Sequence, residues 1–349
     1  NENLKPEITT GIEIGTDLEF FQNRIALNTT YYRDVTRDQI LNIDVSSSSG
    51  FDQALVNAGE ILNRGLEASL TVTPLRSELA EWSITANFSR NISKVEELAE
   101  GIDTYEIENA PPRIVAEEGG PFGDLQGEIF RRDANGRKVF DRNGNPVTTN
   151  DPRSLGSFQP DWTGGLSTSL SYDRFNARVV LDGQVGGKIW SLSNGFGQYS
   201  GLVESTVADN QRETFVIPDG VVLPEGTDPS DASEVEGIPY EEAQTERPLL
   251  SPSEHYKNNY IYANHTYDAT HLRLQEVALS YSLPIEDLLG STPLSQARVS
   301  VTGSNLLLLY KEAPNIDPGA TLGVGNIQGV EFSQLPSQRT YGFKLNLQF

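Results

Sequence analysis

Nine segments of the chain alternate between apolar and polar residues, and the last of them shows the pattern most plainly. In residues 338–349, Phe343 and Leu345 occupy odd positions, while Lys344 and Asn346 occupy even ones. Successive side chains of a β-strand point to opposite faces of the sheet, so this segment predicts a strand with one apolar and one polar face. The same alternation runs through residues 7–21, 24–36, 63–73, 81–95, 161–172, 177–190, 270–283 and 296–310.

The connections between these segments are alternately short and long. The long ones cover about residues 37–59, 96–159, 191–268 and 311–337. Such a regular difference between the two ends of a sheet is typical of outer-membrane barrels, which have short periplasmic turns and long extracellular loops. A sandwich instead distributes loop length over both ends. The pattern therefore predicts an all-β fold, a transmembrane antiparallel β-barrel.

The number of predicted strands indicates a larger barrel. Bacterial single-chain barrels have an even number of strands, and an open sheet edge cannot lie in hydrocarbon. Nine strands therefore predict part of a barrel, whose remainder closes both edges. Within residues 270–283 the apolar positions slip by one residue between Leu274 and Val277, which predicts a β-bulge.

Composition narrows the classes of function. With 26 Lys and Arg against 49 Asp and Glu, the formal net charge is −23, which argues against a nucleic-acid ligand because phosphate binding needs basic patches. The absence of cysteine excludes disulfides, thiol catalysis and cysteine-ligated metals. No apolar run of about eighteen residues occurs, so no transmembrane helix is predicted, whereas barrel strands need no such run. Because methionine is also absent, we expect a mature product or a piece of a longer protein.

Several stretches resemble a known family. The segment Leu4-Lys5-Pro6-Glu7, followed by Glu13-Ile14-Gly15, is similar to the L-K-P-E...E-x-G segment of TonB-dependent outer-membrane receptors. Further stretches resemble the SusC/RagA branch of that family, which is found in Bacteroidetes, and they follow the family order along the whole chain. They are YYR to QIL (31–41), NAGEI with NRGLE (57–67), GSFQPDW with GG (156–165), LRLQEV with LSYSLP (272–284) and GSNL (303–306).

This resemblance implies a location, a function and partners. By similarity the complete barrel has twenty-two strands, of which these are the last nine, and the plug domain and the TonB-contacting segment are absent from residues 1–349. Family members lie in the cell outer membrane and import oligosaccharides or peptides together with a surface lipoprotein of the SusD type. The expected partners are therefore the remainder of the barrel and plug, a SusD-like lipoprotein, TonB through the missing part, and outer-membrane lipid. The alternative is a soluble, secreted β-sandwich module that binds glycans.

Two groups of residues are candidate metal ligands. The three histidines, His255, His265 and His271, fall within one short stretch, but they lack the spacing of a helical zinc site, and their surroundings favour polar loop side chains leading into a strand. In the loop 131–145, Asp133 and Asp141 each precede an Asn-Gly pair, as in fragments of a calcium loop. The terminal Glu of such a loop is missing, and Asn-Gly is a strong turn signal, so the pattern favours two turns around a small hairpin.

Aromatic residues of the longest loop are the candidate substrate contacts. Stacking on a sugar face needs a flat apolar ring beside polar groups, and Trp190, Phe196 and Tyr199 open this loop. For Trp190 the alternative is anchoring at the membrane interface. No Ser-His-Asp arrangement, nucleophile elbow or phosphate-binding glycine loop is recognised, so no enzymatic activity, catalytic residue or cofactor is predicted.

Overall fold

The computed structural model describes residues 4–44, 53–109, 111–207, 219–243, 255, 261–285, 290, 293–323 and 325–349. Its main feature is one antiparallel sheet in which nine described strands follow each other in chain order. These strands, numbered here along the chain, are Ile8–Phe20 (β1), Ile25–Arg37 (β2), Glu60–Arg76 (β3), Ala80–Glu97 (β4), Trp162–Tyr172 (β5), Phe175–Val185 (β6), His271–Leu283 (β7), Gln296–Lys311 (β8) and Thr340–Gln348 (β9).

Each strand of this sheet pairs with the strand before it and the strand after it. Leu166 on β5, for example, lies between Ala86 on β4 and Leu181 on β6. Among the described residues β1 and β9 each have a neighbour on one side only, so the sheet is open at both edges. The predicted nine-stranded antiparallel arrangement is confirmed, and an open sheet of this kind is part of a barrel.

One face of the sheet carries the apolar side chains, and this face is exposed. Ile14 on β1 is 68 % exposed, Leu166 at the centre is 40 % exposed, and Phe343 on β9 is 72 % exposed. In the part of the chain that the structure describes, no second sheet covers them. A soluble sandwich buries its apolar face against a second layer, so the soluble alternative is not supported, whereas exposure to acyl chains is what a barrel requires.

The buried core lies in the long loops. One cluster contains Ile114, Leu125, Phe158, Trp190 and Val330, which come from three different loops. A second cluster contains Phe130, Phe140, Val222, Tyr240 and Ile261. The loops therefore fold against one another into a shell.

Short strands hold this shell together. Lys138–Val139 pairs with Gly220–Val222 from the next long loop, and Lys188–Ser191 pairs with both Thr266–Asp268 and Val330–Glu331. Because these pairs join residues far apart in sequence, alternation within one segment does not predict them. The other loop strands are Ile40–Asp44, Gln53–Asn57, Thr104–Glu108, Arg113–Glu117, Phe122–Gly127, Arg153–Ser157 and Ile238–Pro239.

The end of β6 and the bulge in β7 are the two places where the predicted strands depart from a simple alternation. The predicted strand 177–190 is wrong at its end, because β6 stops at Val185 and Lys188–Ser191 belongs to the loop shell. Gly186 and Gly187 separate the two with φ of 75° and 79°, a conformation that glycine adopts without steric cost. The predicted bulge is confirmed, since the register of β7 against β8 shifts between Leu274 and Glu276.

Helical structure is confined to the loops. The α-helix Leu192–Tyr199 (α1) begins at Ser191, whose side chain accepts a hydrogen bond from the Asn194 amide as an N-cap. The three described 3₁₀ helices are Glu204–Thr206, Pro229–Glu234 and Tyr262–Asn264. Within the described ranges, no helix has the length and apolar character needed to cross a membrane.

Candidate functional site

The polar face of the sheet carries a cavity that extends from β2 to the loop ends of β5, β6 and β7. Its volume is about 640 Å³, within the range of roughly 300–1,000 Å³ for small-molecule sites. The polar groups that line it are amides, hydroxyls, an imidazole and two carboxylates, contributed by Asn28, Glu67, Asn87, Thr163, Asp182, Gln184 and His271. Such groups can exchange hydrogen bonds with sugar hydroxyls or with peptide groups. They do not form a pair of nucleophile and general base.

Arg273 and Asp317 connect this polar face to the loop shell. Arg273 lies on β7, opposite Asp182 on β6. The guanidinium of Arg273 donates a hydrogen bond to Asp317, which lies in the loop between β8 and β9, and both side chains are 9 % exposed. Burial raises the pKa of Asp317, but hydrogen bonds from Arg273, Ser337 and Gly319 and the charge of Arg273 outweigh it and hold the pKa at about 2. This ion pair fastens the last loop to the sheet.

A second buried carboxylate fixes helix α1. Glu331 is 2 % exposed and accepts hydrogen bonds from the hydroxyls of Ser191 and Ser193 at 2.5 and 2.6 Å. These serines lie at the start of α1, where a negative charge is favourable because the first amides of a helix point toward it. The loop that contains Glu331 therefore positions the helix.

The three predicted substrate contacts lie in different environments. Trp190 is 1 % exposed, and its ring packs against that of Tyr262 at a centroid distance of 5.8 Å. Its ring therefore belongs to the core of the loop shell and presents no open face for stacking or for anchoring at the interface. Phe196 and Tyr199 lie on α1 and are 52 % and 45 % exposed, so both rings are available for a ligand.

The histidines lie inside the loop shell and at its base. His255 is buried beside Phe140, with ring centroids 6.0 Å apart, and His265 is buried as well. Burial lowers the pKa of both to about 4, assisted at His255 by the charge of Lys138. Both are side chains of the loop that leads into β7, as expected, but they are buried because the loops have cores of their own. His271 begins β7, and its Nδ1 lies 2.9 Å from the carbonyl oxygen of Ala269.

The two aspartates of the loop 131–145 stabilise turns. Asp133 Oδ1 accepts hydrogen bonds from the amides of Asn135 and Arg137, and Asp141 Oδ1 accepts them from the amides of Asn143 and Asn145. The antiparallel bridges between Arg132 and Lys138 and between Phe140 and Pro146 show that the chain reverses at each turn. The predicted turns are confirmed, and within the described ranges no group of three or more His, Asp or Glu residues could hold a metal.

Sequence reasoning missed the residues that organise the shell. Arg273 and Asp317 are 44 positions apart, and Ser191 and Glu331 are 140 positions apart. The local signal is weak: Arg273 occupies an ordinary polar-face position between Leu272 and Leu274, and Glu331 stands between Val330 and Phe332. Such residues are paired when they are buried.

Fold and faces together define the class of protein. A chain-ordered antiparallel sheet with an exposed apolar face, a polar opposite face, short connections at one end and folded loops at the other is part of a transmembrane β-barrel. The comparison with protein families agrees with this, because residues 1–230 match the β-barrel of the TonB dependent receptor-like family. The chain belongs to this family and lies in the outer membrane.

Relatives and solved structures describe the extent of the similarity. The chain is 27 % identical over its whole length to TonB-dependent receptor P3 of Formosa agariphila, and 28 % identical over 42 % of its length to TonB-dependent receptor SusC of Bacteroides thetaiotaomicron. It covers 35 % of the first relative and 15 % of the second, so it spans about a third of the relative that it matches throughout. The structure of the RagAB peptide transporter has a TM-score of 0.70 over the whole chain at 21 % identity, with 36 % of that chain covered, which shows the shared fold.

Proposed function

We propose that the receptor containing this chain imports oligosaccharides or peptides across the outer membrane. The observation that carries the proposal is the combination of a polar inner face, whose cavity of about 640 Å³ reaches the loop ends of β5, β6 and β7, and a folded loop shell beyond those ends. A solute that passes the shell reaches amides, hydroxyls and carboxylates, which suit polar oligomers. The RagAB peptide transporter, whose fold the chain shares, supports a peptide as one such solute.

The proposed transport depends on parts outside these residues. The remainder of a barrel of about twenty-two strands closes both edges of the sheet and encloses a plug, and the plug connects to TonB. A SusD-like surface lipoprotein covers the loop shell and delivers the solute. The rigid attachment of the loops, through Arg273 with Asp317 and through Glu331 with Ser191 and Ser193, supports a stable docking surface for such a partner.

Within the shell, Phe196 and Tyr199 are the proposed solute contacts. Both are exposed on one short helix that Glu331 holds in place. Aromatic stacking contributes about 0.5–1.5 kcal/mol per ring, so we expect Phe196→Ala and Tyr199→Ala each to weaken binding roughly 2- to 12-fold. Leu202→Ala is the control, because Leu202 is an exposed apolar residue of the same loop and lacks an aromatic ring.

The experiment compares cells that carry the full-length receptor with cells that lack it. Uptake of a fluorescently labelled oligosaccharide mixture and of a labelled peptide mixture is measured in both, and lipoproteins that copurify with the receptor are identified. We expect uptake of one mixture to require the receptor, with the aromatic variants impaired and Leu202→Ala normal. Uptake of both mixtures that is independent of the receptor would contradict the proposed function.

A further inference from the structure

The apolar outer face of the sheet is indented near the ends of the strands that lead into the long loops. The indentation has a volume of about 570 Å³, within the range of roughly 300–1,000 Å³ that is common for small-molecule sites. We call it the outer groove. The side chains that form its walls are Trp162, Leu166, Leu181, Val185, Leu272 and Tyr310.

The floor of the outer groove consists of backbone at two adjacent glycines. Gly164 on β5 and Gly183 on β6 are Cα partners, and both lie on the face that carries Leu166 and Leu181. A Cβ at Gly164 would lie 3.1 Å from the Trp162 ring, and a Cβ at Gly183 would lie 2.4 Å from the backbone oxygen of His271. A side chain therefore cannot fill the floor unless the sheet moves.

The walls of the groove are held in position. The Trp162 ring packs against Phe88, with centroids 5.8 Å apart and planes 31° apart. At the other side Leu272 is the Cα partner of Tyr310, whose hydroxyl donates a hydrogen bond to Glu312. From β5 to β8 the groove crosses three interstrand spacings of about 4.8 Å, or roughly 14 Å in total.

The location of the groove identifies its occupant. It is continuous with the apolar face that lies against acyl chains, and the strand ends that border it lead into the long extracellular loops, so it opens to the outer leaflet. Its six wall side chains offer apolar contact, which suits the hydrocarbon of an acyl chain and not a charged headgroup. We propose that the outer groove binds one acyl chain of an outer-leaflet lipid and holds it more tightly than the rest of the apolar face does.

Two substitutions fill the groove and one serves as a matched control. Leu181→Trp and Leu272→Trp each enlarge a lining side chain, on the neighbouring strands β6 and β7. Leu279→Trp makes the same change on β7, at another exposed apolar position that does not line the groove. All three keep an apolar side chain toward lipid, so the change in barrel stability is expected to be similar, and formation of the barrel is checked by heat-modifiable migration on gels.

The measurement counts lipid molecules retained by the full-length receptor. The protein is reconstituted with dioleoylphosphatidylcholine, extracted into a mild detergent, and analysed by native mass spectrometry. We expect Leu272→Trp and Leu181→Trp each to retain one lipid fewer than the parent protein, and Leu279→Trp to retain the parent number. Equal retention in the parent and all variants, or an equal loss in all three, would overturn the proposal, because the groove would then differ in no way from the remaining lipid-facing surface.

Discussion

Replacing Asp317 by Asn tests whether one buried ion pair fastens the last loop to the sheet. The substitution removes the negative charge beside Arg273 but keeps the size of the side chain. The pKa of Asp317 is held at about 2, below its ordinary 3.8, and a pKa lowered this far corresponds to about 2 kcal/mol. Removing one partner of a buried pair costs about 3–5 kcal/mol in general, since the other charge is left unpaired. About 2 kcal/mol is therefore a lower bound.

Hydrogen exchange measures this loss where it occurs. The amides of Gly319 and Ser337 donate hydrogen bonds to Asp317, so they report the opening of the loop. Because each 1.4 kcal/mol is a factor of ten, we expect their exchange to become at least about 30-fold faster in Asp317→Asn. The matched control is Glu60→Gln, since Glu60 pairs with Arg37 on the surface, where such a pair contributes about 0.2–1 kcal/mol. We expect that control to leave Gly319 and Ser337 unchanged.

The same pair predicts a dependence on pH. A carboxyl whose folded pKa lies below its unfolded value stabilises the fold fully above the unfolded value, and the contribution disappears as the pH falls through the folded value. For Asp317 this window runs from about pH 4 down to about pH 2, and the parent loop should approach the exchange rate of Asp317→Asn there. If Asp317→Asn exchanged no faster than the parent at neutral pH, the assigned role of this pair would be refuted.

Further substitutions test the two faces and the loop shell. Leu345→Arg near the middle of the bilayer is expected to cost about 2–4 kcal/mol of barrel stability in denaturant titrations, whereas Lys344→Arg on the polar face is expected to have no effect; equal tolerance of both would count against the assigned faces. Glu331→Gln weakens the hydrogen bonds to Ser191 and Ser193, and a loss of about 1.5–3 kcal/mol would accelerate amide exchange in α1 roughly 10- to 150-fold. Unchanged exchange in α1 would show that other contacts position the helix.

The strands could be predicted because lipid contacts one face of the sheet and the barrel interior contacts the other, so each environment selects every second residue. Lipid selects an apolar side chain at Leu166 and the interior accepts a polar one at Ser167, and the same constraint repeats along all nine strands. The bulge near Leu274 was visible because it breaks that repeat. The fold class therefore follows from a period of two residues.

The loop shell could not be predicted in the same way. Its cores are assembled from short apolar runs, such as residues 114–116, whose partners come from distant loops. Helix α1 has eight residues, two of them glycines, and so carries no readable helical period. Trp190 illustrates the consequence: an aromatic residue at a strand end suggests an exposed ring, but pairing of its strand with residues 266–268 and 330–331 buries it.

The central claim, that the apolar face lies against lipid, is tested most directly by spin labels on β5. These 349 residues contain no cysteine, so single cysteines are introduced at Leu166, Ser167, Ser169 and Leu170 of a full-length receptor whose cysteines elsewhere are replaced by serine, and they are labelled in bilayers. Collisions with molecular oxygen report hydrocarbon, and collisions with a water-soluble nickel chelate report the aqueous side. We expect oxygen to dominate at 166 and 170 and the nickel chelate to dominate at 167 and 169. The reverse order, or no alternation between neighbouring positions, would contradict it.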